Sequence, residues 1–143
     1  MVLDIDEQYD KIYRYCYYKV KNRETAEDIT QETFLRYFTS DVPRDNTQAL
    51  RYLYTVARNL CIDEYRRIKP EPINDDLPAE DSFGINFALK TALSALTNED
   101  RELILLRYVN DVPVNVLCNM YGVSRFVLYR RIKNILKHLR ELI

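Results

Sequence analysis

Glycine is almost missing from this chain: there are two in 143 residues, alongside no tryptophan, one histidine, three cysteines and five prolines. Two glycines cannot furnish a glycine-rich phosphate cradle. A single histidine, His138, cannot complete a paired nucleophile–histidine arrangement or the two Glu-x-x-His pairs of a helix-bundle metal centre. An enzyme, a metal site or a bound cofactor is therefore not expected. Cys16, Cys61 and Cys118 are odd in number, far apart and free of any Cys-x-x-Cys pair, so they read as small buried apolar residues in a reducing compartment. No apolar run has membrane-spanning length, and the first residues carry Asp4, Asp6 and Glu7. Neither signal peptide nor membrane anchor is expected, and a cytoplasmic location follows.

What is abundant is Glu, Arg, Lys, Leu and Tyr, a composition that with so few breakers specifies an all-α protein. The length suits one medium domain or two small ones. The net charge of −1 hides an asymmetry, since residues 87–143 hold nine basic and five acidic side chains and residues 69–86 hold one and five. The second stretch includes three prolines and cannot bury enough apolar surface to order itself, so it reads as a flexible acidic linker. The organisation expected is a helical domain over 1–68, a linker over 69–86 and a second helical domain over 87–143.

Within the first domain, residues 4–21 predict a helix with Ile5, Tyr9, Ile12, Tyr13, Cys16, Tyr17 and Val20 along one side. Asn22 reads as a break and N-cap. A second helix over residues 23–38 turns Ala26, Ile29, Thr33, Phe34 and Tyr37 inward and shows an acidic polar face of Glu27, Asp28, Gln31 and Glu32. Residues 40–48 are dense in turn formers and predict a loop. From Thr47 as N-cap, a long helix to about Ile68 places Leu50, Leu53, Tyr54, Ala57, Leu60, Cys61 and Tyr65 inside. Its outward residues are Arg51, Tyr52, Thr55, Arg58, Asn59, Arg66 and Arg67. Interleaved aromatics and arginines suit single-stranded bases, at roughly 1–3 kcal/mol of stacking per base. Read alone, however, the same pattern is better taken as tyrosines that pack and arginines that solubilise.

The second domain predicts helices over 87–96 and 99–109, the latter opened by Thr97 in a capping-box-like start and presenting Leu103, Ile104, Leu106 and Tyr108. Residues 112–140 then carry six Arg or Lys and no Asp or Glu. Pro113 suits a helix's first turn, Gly122 a left-handed turn and Ser124 an N-cap, giving helix–turn–helix grammar. Leu128, Ile132, Ile135, Leu136 and Leu139 form the buried stripe of the last helix. Arg125, Phe126, Tyr129, Arg130, Lys133, Asn134 and Lys137 face outward. A charge run alone reads as a solvated face; the turn grammar tips it toward DNA docking.

Three ordered blocks together carry a family resemblance: residues 26–38 (AEDITQETFLRYF), residues 53–67 (LYTVARNLCIDEYRR) and the stretch from Leu96 through 101–108 (RELILLRY) to Leu139. They resemble regions 2.1–2.2, 2.3–2.4 and 4.1–4.2 of bacterial sigma factors of the extracytoplasmic-function group, in the sigma-70 family. The resemblance implies that Asp28, Gln31 and Glu32 bind the β′ clamp helices of RNA polymerase core, with Phe34 core first and contact second. It implies that residues 40–48 and the long helix read the promoter −10 element and capture a flipped base, with Arg51, Tyr52, Arg58, Asn59, Arg66 and Arg67 as contacts. That reverses the bland reading of the long helix.

The same resemblance places Arg125, Phe126, Tyr129, Arg130, Lys133 and Asn134 toward base edges of the −35 element, with Arg131 and Lys137 on phosphates. The helices around Leu103 and Leu106 would meet the β flap, the linker would thread the RNA exit channel, and an anti-sigma factor is a further expected partner. No membrane insertion is implied. The chain departs from the family at Val116-Leu117-Cys118, where Glu-Ile-Ala is usual, and at Phe126-Val127-Leu128, where Gly-Thr-Val is usual. Val127 lacks the hydroxyl that a threonine would give to phosphate, and Asn134 replaces a usual arginine. A stand-alone helix–turn–helix regulator is the competing reading, but it leaves the Asp28-Gln31-Glu32 face and the Arg/Tyr helix unexplained. A carboxylate-bridged metal enzyme built on Glu27, Asp28, Glu32, Asp63 and Glu64 lacks its histidines.

Overall fold

In a computed structural model, which describes residues 3–67 and 87–142, seven helices and no strand are found among the described residues. They are α1 (Ile5–Val20), α2 (Arg23–Phe38), α3 (Asn46–Arg67), α4 (Phe87–Ser94), α5 (Asn98–Tyr108), α6 (Val114–Tyr121) and α7 (Arg125–Leu142). The chain divides into two compact units, Met1–Asn74 and Asp75–Ile143. The expected linker over 69–86 and the last expected residue of the long helix, Ile68, lie outside the described residues.

In the first unit, local chemistry sets the helix ends. The Asp4 carboxylate accepts from the Glu7 N–H at 3.1 Å and opens α1. Lys21 takes the left-handed conformation that closes it, at φ 57°. One residue on, the Asn22 side chain accepts from the Thr25 N–H at 2.9 Å, as expected, and α2 begins at Arg23. Such caps contribute about 1 kcal/mol each. The three helices meet along Ile12, Tyr15 and Cys16 of α1, Ala26, Ile29, Thr30, Thr33, Phe34 and Tyr37 of α2, and Ala49, Leu50, Leu53, Tyr54, Ala57 and Cys61 of α3. Thr30 and Thr33 satisfy their buried hydroxyls by donating to the Ala26 and Ile29 carbonyls, both at 2.7 Å. Tyr15 and Tyr54 meet edge to face with ring centroids 6.1 Å apart.

Several expectations for this unit are corrected. Tyr15, outside the expected stripe, is fully buried, whereas Tyr13 and Tyr17 are half-buried and stack on each other with centroids 6.4 Å apart. Tyr65 is exposed and Leu60 only half-buried. The cap of α3 is Asp45 rather than Thr47: its carboxylate accepts from the Gln48 N–H at 3.1 Å, so the helix starts at Asn46 and shortens the expected loop.

In the second unit α4 ends at Ser94, two residues before expected, because Arg101 reaches back to collect the orphan carbonyls at its end. Its guanidinium donates to the carbonyls of Leu93 at 3.0 Å, Leu96 at 3.0 Å and Ser94 at 3.2 Å. Thr97 caps α5 by accepting from the Asp100 N–H at 3.2 Å. Leu103 and Leu106 of α5 are wholly buried with Leu117 of α6 and Leu128 of α7; Tyr108 is exposed. Pro113 stands one place before the first turn of α6, as its N-cap. Gly122 ends α6 at φ 65° with nothing within 4 Å of where a Cβ would stand, so backbone conformation and not space is what selects glycine. Ser124 then accepts from the Val127 N–H at 3.2 Å and opens α7. Leu136 is half-buried rather than core, and Cys118, unlike buried Cys16 and Cys61, is half-exposed.

Candidate functional site

Three exposed surfaces carry the residues singled out by the sequence. The first is the outer side of α2, a consequence of turning six residues of that helix inward. Asp28 and Gln31 are exposed and Glu32 is half-exposed. Gln31 donates through Nε2 to Glu27 Oε1 at 3.3 Å, and Glu32 pairs with Arg36 at 2.9 Å one turn on. Gln31 also hydrogen-bonds the Tyr9 phenol of α1; burial still raises that phenol's pKa, helped by the nearby Glu27 charge. Phe34 is buried against Tyr9, with ring centroids 5.2 Å apart. Helical spacing continues the Asp28–Gln31 line into Leu35 and Phe38, which are 59% and 54% exposed. An acidic half thus gives way to an apolar half along one side. Leu35 and Phe38 lie outside the inward set expected from the sequence, which gives the exposed pair no role.

The second surface lies where α2, the following loop and α3 meet. Arg44 sets its guanidinium 4.3 Å over the Tyr37 ring and donates to the Tyr37 carbonyl at 3.0 Å and the Phe38 carbonyl at 3.4 Å. The Tyr37 ring also meets Phe38 at 5.5 Å and Tyr52 of α3 at 6.2 Å. Ser40 adds a donation to the Tyr37 carbonyl at 2.6 Å and accepts from the Val42 N–H at 3.3 Å. Arg44 therefore ties the loop to the end of α2, a role that no local sequence signal announces. Of the expected contacts, Tyr52, Arg51 and Arg58 are half-buried, while Asn59, Arg66 and Arg67 are exposed. The Arg51 Nε is shielded and has no hydrogen-bond partner among the described residues. Arg67 is held by Glu64 through two hydrogen bonds of 2.7 and 3.2 Å. The hydrogen bond and charge of Arg67 lower the Glu64 pKa, and Glu64 in turn raises that of Arg67.

The third surface is the outer side of α7. Arg125, Phe126, Tyr129, Arg130, Lys133, Asn134 and Lys137 are all exposed, as expected. Phe126 is 72% exposed and Tyr129 53%. Arg130 lies one turn beyond Phe126 with its guanidinium carbon 5.4 Å from the ring centroid. Arg131, for which the resemblance implies a phosphate contact, leans toward α5. It pairs with Glu99 at 3.2 Å and Asp100 at 3.6 Å, and its side chain is 27% exposed. It also lies 5.7 Å from the Tyr121 ring, and Tyr121 donates to the buried Glu102 at 2.9 Å. Among the described residues no cluster of three or more His, Cys, Asp or Glu side chains could hold a metal ion, and no helix is long and apolar enough to cross a membrane.

Known proteins are similar to this chain in sequence and in fold. The family model for sigma-70 region 2 matches residues 5–70. The chain is 30% identical to the ECF RNA polymerase sigma factor SigM of Bacillus subtilis, over 90% of this chain and 90% of that protein. It is 27% identical to the ECF RNA polymerase sigma factor SigW of the same organism, over 96% and 88%. Among solved structures, the sigma factor RpoE from Bartonella quintana, crystallised with the anti-sigma factor NepR, has a similar fold: TM-score 0.65 and 16% identity over 94% of this chain and 91% of that one. The chain belongs to the ECF group of sigma-70 family RNA polymerase sigma factors, which are non-enzymatic transcription initiation factors.

Proposed function

We propose that this protein is a promoter-specificity subunit: it binds bacterial RNA polymerase core in the cytoplasm, docks promoter DNA at two elements and helps open it. The observation that carries this reading is the segregation of charge between α2 and α7. The outer side of α2 holds Glu27, Asp28 and Gln31, whereas residues 112–140 hold six basic residues and no acid. An acidic helix face suits a basic helical protrusion such as the β′ clamp helices, where complementary charge sets orientation and on-rate. A basic helix after a tight turn suits the major groove of the −35 duplex. Arg125, Phe126, Tyr129, Arg130, Lys133 and Asn134 would face base edges, with Lys137 on phosphate. Arg131, tied to Glu99 and Asp100, serves better to hold α7 on α5 than to bind phosphate.

At the −10 element, the ring cluster of Tyr37, Phe38 and Tyr52 under Arg44 provides a firm floor for an unstacked base. Arg51, Arg58, Asn59, Arg66 and Arg67 would track the strand. Flipping costs a few kcal/mol, which stacking and polar contacts offset. The buried face around Leu103 and Leu106 would support an α5 contact with the β flap, and an anti-sigma factor is the expected inhibitory partner.

The test is a pull-down with purified core polymerase, followed by in vitro transcription on a library of genomic fragments. Core binding that is lost in Asp28→Lys, and start sites that depend on the chain, are the expected results. Tight binding to free duplex without any binding to core would instead make it a stand-alone DNA-binding regulator.

A further inference from the structure

The start of α7 carries a feature that charge does not explain. Its second residue, Phe126, is the most exposed of the large apolar side chains described, at 72%. What lies over the ring is Arg130, one turn on, with the guanidinium carbon 5.4 Å from the ring centroid. Arginine stacks on an aromatic face while keeping the edge of its fork free to donate. Residues four apart on a helix are separated by about 6 Å along the axis, roughly two steps of stacked base pairs. The first turns of a recognition helix are the part that reaches base edges in the major groove. There, thymine differs from every other base in presenting a C5-methyl group, and an apolar side chain is its natural complement; the arginine fork suits guanine O6 and N7.

We infer that Phe126 is a specificity-determining residue that packs on the C5-methyl of a thymine in duplex DNA, while its ring positions Arg130 for a guanine within about two base pairs. This rests on the duplex-docking role proposed above for α7. The occupant is fixed by charge: the outer side of α7 carries Arg125, Arg130, Lys133 and Lys137, all exposed, so a nucleic-acid duplex fits this face and an acid-free apolar partner does not. The exposed Tyr129, on the same side, frames the other flank of the ring's position.

The experiment uses the full chain bound to core polymerase and a duplex promoter library with its upstream element randomised. Sequences retained by the wild-type holoenzyme define the enriched thymine. A fixed duplex carrying that thymine is then compared with one carrying deoxyuridine, which removes only the methyl group. The wild-type holoenzyme should bind the deoxyuridine duplex about fourfold more weakly, the effect of one methyl group left in water. Phe126→Ala should bind both duplexes equally and should also lose enrichment of the neighbouring guanine. Phe126→Leu should restore the methyl preference without the guanine preference, since leucine is apolar but offers no ring to Arg130. Because Phe126 lies on the surface, thermal unfolding of the variants should match the wild type. A library enriched normally by the wild type, with no methyl dependence at any thymine or with the dependence kept in Phe126→Ala, overturns the inference and leaves the proposed function standing. No enrichment by the holoenzyme, although the chain binds core, overturns the duplex-docking role and this inference with it.

Discussion

Helices α3 and α7 look alike on paper: both are long, both alternate a leucine-rich stripe with arginines and tyrosines, and both face DNA in the function proposed. Their arginines nevertheless stand in different surroundings. On α3 the last turns include Asp63 and Glu64, and Glu64 holds Arg67 through two hydrogen bonds. Arg51 is half-buried. On α7 the first acid is Glu141, so Arg125, Arg130 and Lys133 stay exposed with no α7 carboxylate within four residues. Counting cations per helix therefore misjudges electrostatic reach, because a carboxylate three residues away in the chain already satisfies one.

The largest effects should come from the inner stripes, where the two helices are equivalent. Tyr54→Ala in α3 removes a ring packed edge-on against Tyr15, and Leu128→Ala in α7 empties a fully buried position. Urea unfolding should show losses of about 3–5 and 2–5 kcal/mol respectively. A loss below 1 kcal/mol in one alone would mean that the two helices are not anchored alike.

The outer faces should separate them. Lys137→Ala should lower the slope of log affinity against log salt for promoter DNA by about 1, one phosphate contact. Arg67→Ala should lower it by less, because Glu64 already shares its charge, and Glu64→Gln should raise affinity by releasing it. Equal slopes in the two alanine variants, measured by fluorescence anisotropy of the holoenzyme, would erase the distinction.

Smallest is the pH effect. Glu64 has a pKa below its ordinary 4.5 in the folded chain. The stability that it contributes is fully present above that ordinary value and is lost as pH falls through the lowered one. Between about pH 5 and 3 the wild type should lose slightly more stability than Glu64→Gln. Since Arg67 is largely exposed and its charge screened, only a shallow difference in urea midpoints is expected.

What could be read in advance was whatever a few neighbouring residues decide. Asn22, Thr97, Ser124 and Gly122 each act within three or four residues, and each stands where turn and cap chemistry put it. Positions settled by distant partners were misread. With Tyr9, Tyr13, Tyr15, Tyr17 and Tyr18 all on α1, periodicity cannot choose which tyrosine is inside; contact with Tyr54, some forty residues on, makes it Tyr15. Arg131 is implied by the resemblance to hold phosphate, yet it pairs with the carboxylates of Glu99 and Asp100 on α5. Arg101 and Arg44 look like surface charges and instead bind carbonyls at helix ends. Leu35 and Phe38 fall on the outer side of α2 by spacing, but hydrophobicity alone does not say which exposed apolar residue is left for a partner.

One arrangement in the second unit reaches further than its size suggests. Glu99, Asp100 and Glu102 lie within one turn of α5; the first two hold Arg131 of α7, and the third holds Tyr121 of α6. The two arms of the helix–turn–helix are thus levelled against a common beam. A change in α5 would tilt the reading helix in its groove, giving evolution a way to retune promoter choice while leaving every residue that faces DNA untouched.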